Sequence, residues 1–165
     1  MKPADTHTLS ILVANKPGVL VRVALTFARR GYNIDSLVVS PSHNPKFSRI
    51  TVTAKGDPAA LEPVIKQLNK LIDVIHASEH DLSVAVDMEM SLLKVKATPA
   101  SKTIIAKHMK EYHAKLIDET DNVMIIAQMG VTSELDAFEG LMNKYGLIEM
   151  VRSGKLLMTK GKETT

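Results

Sequence analysis

Within the first 79 residues the spacing of apolar side chains switches from strand-like to helix-like and back twice, and that succession most narrows the folds open to this chain. Residues 8–14 are short, apolar and β-branched, which predicts a buried strand. Residues 19–30 then place Leu20, Val23, Ala24, Phe27 and Ala28 at helical spacing. Arg22, Thr26, Arg29 and Arg30 take the other face, and Gly31 supplies a stop. Residues 32–40 read as a second strand and Ser42-His43-Asn44-Pro45 as a turn. In a third strand Ile50, Val52 and Ala54 alternate with Thr51, Thr53 and Lys55. Asp57-Pro58 has the form of an N-cap followed by proline at the first helical position. The helix it opens carries Leu61, Val64, Ile65, Leu68 and Leu71 on one stripe. Pro63 removes an interior donor, so this helix either starts near Glu62 or kinks, and the sequence leaves both open. Residues 73–79 complete a fourth strand. The order strand–helix–strand–strand–helix–strand is the ferredoxin-like arrangement.

The remainder repeats that order more weakly. Residues 86–97 read as strand, Thr98-Pro99 repeats the cap-plus-proline start, and Ile104, Ile105, His108, Met109 and Tyr112 mark a helix. Two strands follow, residues 114–118 and 122–129, with a turn at Thr120-Asp121-Asn122. Ser133-Glu134-Leu135-Asp136 has the form of a capping box with Asp in place of Glu. Leu135, Phe138, Leu141 and Met142 then line a helix that Gly146 ends. Residues 147–158 offer a last strand or hairpin, and residues 161–165 are expected to fray. The expectation is an α+β chain of two ferredoxin-like βαββαβ domains, 1–79 and 84–165, divided at the polar His80-Asp81-Leu82-Ser83. Domains of roughly 80 residues are small for independent stability, which favours pairing of the halves or of chains.

Composition excludes several functions. With 45% apolar and 24% charged residues the chain is globular rather than disordered. A formal charge of +3 with both signs interleaved, 4% aromatics and no tryptophan provide neither the basic stripe nor the stacking platforms of a nucleic-acid binder. The pair Arg29-Arg30 reads as a solvated helix terminus. Absence of cysteine rules out disulfides and thiolate metal sites. The opening Met1-Lys2-Pro3-Ala4-Asp5 has no apolar signal core and no run is long enough to span a bilayer, so the cytoplasm is the default compartment. His76 and His80 share a strand face near Asp81, but a metal needs a third ligand at matching spacing, and a surface pair is favoured. His108 falls on its helix's apolar stripe, His113 at that helix's negative end, His7 in an arm and His43 in a turn. Glycine-rich phosphate loops, nucleophile elbows and paired carboxylates are missing, so no catalytic or metal-binding residue is assigned.

The informative segment is Asn15-Lys16-Pro17-Gly18, where a buried strand runs directly into a helix. Such a start aims unpaired backbone N–H groups and the positive dipole end at one point, and Gly18 lets a carboxylate approach without a Cβ in the way. Any strand-to-helix turn uses the same residue types, so the loop alone leaves both readings open. The next strand begins Arg30-Gly31-Tyr32-Asn33-Ile34-Asp35-Ser36-Leu37, setting an amide beside an apolar side chain.

With these two segments together the sequence resembles the ACT domain, and more narrowly the small regulatory subunits of acetolactate synthase (acetohydroxyacid synthase). The resemblance continues through Ser48-Arg49-Ile50-Thr51 and Gln67-Leu68-Asn69-Lys70-Leu71-Ile72-Asp73-Val74. In the second half it rests on Leu92-Leu93-Lys94-Val95, Leu135-Asp136-Ala137-Phe138 and Ile148-Glu149-Met150-Val151-Arg152-Ser153-Gly154. The chain departs from the family's pattern at Glu119-Thr120 and Lys160-Gly161. The resemblance implies a homodimer formed through ACT domains, with an inhibitory branched-chain amino acid, usually valine, held between two chains. Carried over by position, Asn15, Pro17, Gly18, Val19 and Leu20 of one chain meet Asn33 and Ile34 of the other. Leu20 fits the core stripe equally well. The implied partner is the catalytic large subunit, which in this family carries thiamine diphosphate, magnesium and FAD, and nothing in this chain resembles a site for them. The implied role is activation of that subunit and feedback inhibition by valine in branched-chain amino acid biosynthesis. The rival reading is a free-standing amino-acid-responsive regulator built on the same module.

Overall fold

The computed structural model of the chain describes residues 5–165; residues 1–4, part of the opening read above as lacking a signal core, lie outside them. The chain divides into two compact units, Met1–Asp87 with Gly154–Thr165, and Met88–Ser153. The first holds β1 (Asp5–Ala14), α1 (Val19–Ala28), β2 (Asn33–Pro41), β3 (Phe47–Gly56), α2 (Pro58–Leu68) and β4 (Val74–Glu79). The strands form one antiparallel sheet in the order β2-β3-β1-β4. Helix α1 packs beside β2 and α2 beside β4. Leu9 and Ile11 of β1, Val52 and Ala54 of β3, Val23 and Phe27 of α1, and Leu61, Val64 and Leu68 of α2 are fully buried between sheet and helices.

Four features differ from the sequence expectations, each for a local reason. The buried stripe of α1 is Val19, Val23, Thr26 and Phe27, while Leu20 and Ala28 face out. Apolar residues nearly encircle the start of α1, so spacing alone admits two phases. Thr26 tolerates burial because its hydroxyl donates to the Arg22 carbonyl at 2.9 Å. Helix α2 runs unbroken through Pro63, capped by Asp57, whose carboxylate accepts from the Ala59 N–H at 3.0 Å. Thr51 and Thr53, expected on an open face, are buried together with Thr8 and Ser10. The segment Gly154–Thr165 returns to this unit, and its last residues do not hang free. Arg49 donates to Ser10 Oγ at 2.8 Å and to the Thr165 carbonyl oxygen, and the Thr159 N–H donates to Thr165 Oγ1 at 2.8 Å. Gly154 lies against β2 so closely that a Cβ there would sit 3.0 Å from a Val38 methyl.

The second unit is built on β5 (Ala85–Lys96), α3 (Pro99–Glu111), β6 (Lys115–Thr120), β7 (Val123–Gly130), α4 (Thr132–Asn143) and β8 (Leu147–Arg152); β9 (Leu156–Thr159) lies in the segment that returns to the first unit. Its sheet order is β6-β7-β5-β8, and β9 pairs with β5. Leu93, Val95, Ile105, Ile126, Phe138 and Met142 form the core. The β8 residue Arg152 is tied to α4 by bonds to Asp136 at 2.5 Å and Glu139 at 3.0 Å. The expected capping box at Ser133 does not form. Helix α4 starts two residues earlier, with Val131 at the cap, and the Thr132 hydroxyl donates to the buried Glu89 carboxylate at 2.5 Å. Among the described residues no helix is long and apolar enough to cross a membrane.

Candidate functional site

The β1–α1 turn is fixed by its backbone. Gly18 stands at the helix cap in the left-handed region, φ 83°, where a side chain is strained. Nothing lies within 4 Å of the position a Cβ would take, so the space in front of the turn is open. No side chain caps α1, which leaves the first-turn N–H groups directed at that space. Asn15 Nδ2 donates to the Pro45 carbonyl at 3.1 Å and the Asn15 N–H to the Lys46 carbonyl at 2.8 Å, pinning the turn to the β2–β3 connection. The Asn15 side-chain oxygen remains as an acceptor. Lys16 and Arg22 both pair with the one carboxylate of Asp73, Lys16 at 3.8 Å. This end of the sheet therefore combines excess positive charge with a helix N-terminus, which suits a carboxylate.

Of the apolar candidates, Val19 is buried in the core, so only its backbone faces the turn. Leu20 is 41% exposed and stands clear of the core. Pro17 is exposed beside Gly18. Asn33 and Ile34 open β2, an edge strand. Asn33 is exposed and donates to Asp35 at 3.3 Å, while Ile34 is half-buried against the core. A register shift between Ile34 and Ser36 bulges the edge there and re-aims both side chains. Behind them Tyr32 is locked by its hydroxyl, which donates to the Asp57 carbonyl at 2.6 Å. Burial, with Asp57 and Glu79 nearby, pushes its phenol above the usual value.

The two groups do not meet within one chain. Ala14 at the turn pairs with Phe47, whereas Asn33 pairs with Lys55, eight residues further along β3 and roughly 26 Å away at strand spacing. Asn15, Pro17, Gly18, Val19 and Leu20 lie at one end of the sheet, Asn33 and Ile34 at the other.

Sequence reasoning missed Asp73, 51 residues from the Arg22 it pairs with, because nothing local signals the contact. It also misplaced His7, which lies buried in β1 with Nδ1 2.6 Å from Glu79 and Nε2 3.3 Å from the Gly56 carbonyl. His76 is exposed on β4, and His80 sits 3.1 Å from Ser78 Oγ. Burial, then the charges of Arg49 and His76, hold the His80 imidazole below its ordinary value. Among the described residues no three His, Asp or Glu side chains are grouped to hold a metal.

Comparison with known proteins gives the same picture for both halves. Residues 9–76 match the model of the AHAS small subunit-like ACT domain, and residues 88–161 that of the small subunit of acetolactate synthase. The chain is 42% identical to a probable acetolactate synthase small subunit of Archaeoglobus fulgidus, over 94% of this chain and 97% of that one. It is 35% identical to the acetolactate synthase isozyme 3 small subunit of Salmonella typhimurium, over 93% and 94%. The crystal structure of the acetolactate synthase small subunit from Thermotoga maritima superposes with a TM-score of 0.87 at 35% identity, covering 96% of this chain and 99% of that one. An ACT unit followed by a second ferredoxin-like unit, matched along nearly its full length by these relatives, makes this chain a member of the acetolactate synthase small-subunit family.

Proposed function

We infer that this chain is a non-catalytic regulatory subunit that activates an acetolactate synthase catalytic subunit and makes it sensitive to valine. The observation that supports the reading is the placement of the Asn15–Leu20 turn and of Asn33 and Ile34 at opposite ends of one sheet, with β2 as an edge. A two-fold pairing that runs two β2 edges antiparallel brings Asn33 and Ile34 of one chain to the end of the sheet that carries the partner's Gly18 turn. Two equivalent sites result. In each, the first-turn N–H groups of α1 and the local positive charge take the amino acid's carboxylate. The Asn15 and Asn33 amide oxygens accept from its ammonium group, and Leu20 with Ile34 receives its side chain.

Helical geometry supports the same assembly. At roughly 100° per residue, Leu20 and Ala24 fall on the flank of α1 away from α2, towards β2. A ligand bound at about 0.1 mM needs roughly 5–6 kcal/mol. Burial of an isopropyl group contributes about 1.5–3 kcal/mol, and charge-assisted hydrogen bonds the remainder. Regulation is linkage: the effector-free dimer stabilises the active arrangement of the catalytic subunit, and valine across the interface shifts the protomers and weakens that support. A coupling of about 1–3 kcal/mol gives a 5–150-fold effect. The thiamine diphosphate, magnesium and FAD chemistry belongs to the catalytic partner. The test is to add the purified chain to the cognate catalytic subunit. The rate of acetolactate formation rises and becomes valine-sensitive; an unchanged rate and sensitivity rejects the role.

A further inference from the structure

A groove of about 550 Å³ runs between α1 and α2 on the helical face of the first unit, floored by Leu25 and Leu71 and walled by Arg22, Arg29, Arg30 and Gln67. Three guanidinium groups and no carboxylate line it. Among the described residues only Arg22 of the three has a carboxylate partner, Asp73. Leu25 is 44% exposed, Val21 beside it is 60% exposed, and Ile72, next in the chain after Leu71, is 93% exposed. Apolar floor and arginine walls are the composition of a protein-binding surface rather than of a solvated helix end.

The geometry points to this groove as the dock for an acidic, apolar-tipped segment of the catalytic subunit, an assignment that rests on the regulatory role proposed above. Charge complementarity selects the occupant. Planar guanidinium forks take carboxylates in pairs, and a floor of leucines takes the apolar side chains between them. The groove occupies the flank of α1 that carries Arg22, Leu25 and Arg29, opposite the flank of Leu20, so the dimer pairing leaves it open. One ten-residue helix thus carries the effector turn at its first residue and the docking groove along its later turns. A displacement of the helix start on valine binding moves the groove wall with it, which gives the two sites a shared rigid element.

The test uses the full chain and the cognate catalytic subunit, with affinity read by biolayer interferometry at two salt concentrations and valine binding read by calorimetry. The double variant Arg29→Glu/Arg30→Glu is compared with Lys107→Glu/Lys110→Glu, an equal charge change on exposed residues of α3. The arginine variant is expected to lose roughly 30-fold or more in affinity for the catalytic subunit and the lysine control about twofold or less. Valine heats match wild type in both, and wild-type affinity falls with added salt. Leu25→Gln, which keeps every charge, also weakens the complex. Equal affinities for the arginine variant and the lysine control overturn the proposal. So does an arginine variant that loses self-association while holding the catalytic subunit, which assigns the groove to a second copy. A wild-type chain that fails to bind the catalytic subunit rejects the regulatory reading itself, a distinct result.

Discussion

Asn15 and Asn33 are both amides at the proposed site, yet they sit in different surroundings and should fail differently. Asn15 also holds the Pro45 carbonyl, so Asn15→Ala is expected to lose valine binding and about 0.5–1.5 kcal/mol of stability. The Asn33 side chain bonds to the exposed Asp35 nearby, so Asn33→Ala is expected to weaken valine roughly tenfold with its urea midpoint unchanged. Calorimetry and urea melts on the two variants check both statements, and equal midpoints contradict the distinction. Gly56 gives a purely structural contrast. A Cβ there would lie 2.2 Å from the Tyr32 ring, which anchors the start of β2. Gly56→Ala is expected to lose about 1–3 kcal/mol in urea unfolding, and a neutral result means the ring moves freely. The residues of the turn were legible in the sequence because glycine and proline at a strand-to-helix junction have few other uses. The bond from Asn15 to Pro45 was not, since it joins positions 30 residues apart in the chain.

At the scale of elements, helix and strand order was readable almost throughout, while phase and caps were not. The α1 stripe was misread because apolar residues cover most of its first turns, and only packing against β2 and α2 selects Val19, Val23 and Phe27. The α4 cap was misread because the Thr132–Glu89 bond, 43 residues apart in sequence, outweighs the local box. Pro63 shows tertiary packing overriding propensity: Leu61, Val64 and Leu68 are wholly buried around it and hold the helix together. Replacing Pro63 with Ala restores a donor and is expected to raise stability by about 1 kcal/mol or more; a lower urea midpoint contradicts this.

His80, directly after β4, contributes a pH dependence. Its folded value lies below its unfolded one, so in that window the unfolded chain binds the extra proton and stability falls as pH drops through the ordinary histidine range. His80→Gln is expected to lose less stability than wild type between pH 7.5 and about 6, in paired urea melts. Equal losses remove His80 from the acid response.

For the whole molecule, two ferredoxin-like units were legible from the repeated element order, and both family matches follow that order. The return of Gly154–Thr165 to the first unit was not legible, because residues up to 158 read locally as a last strand or hairpin of the second half and residues 161–165 as fraying. Its partners, Val38 and Arg49, lie more than a hundred residues earlier. Nor could local patterns show that the residues of the proposed site lie at opposite ends of one sheet; that required the register of β1, β2 and β3. On the proposed reading, this register makes the effector site a property of two chains.

Subunit mixing tests that claim most directly. Asn15→Ala is expected to lose valine binding and Asn33→Ala to weaken it roughly tenfold, so at a valine concentration near the wild-type Kd neither variant alone fills most of its sites. In a mixed dimer one of the two sites regains both amides, so unfolding and refolding the variants together should recover roughly a quarter of the wild-type sites by calorimetry. Recovery of none, with mixed dimers demonstrated by mass, contradicts a site shared between chains.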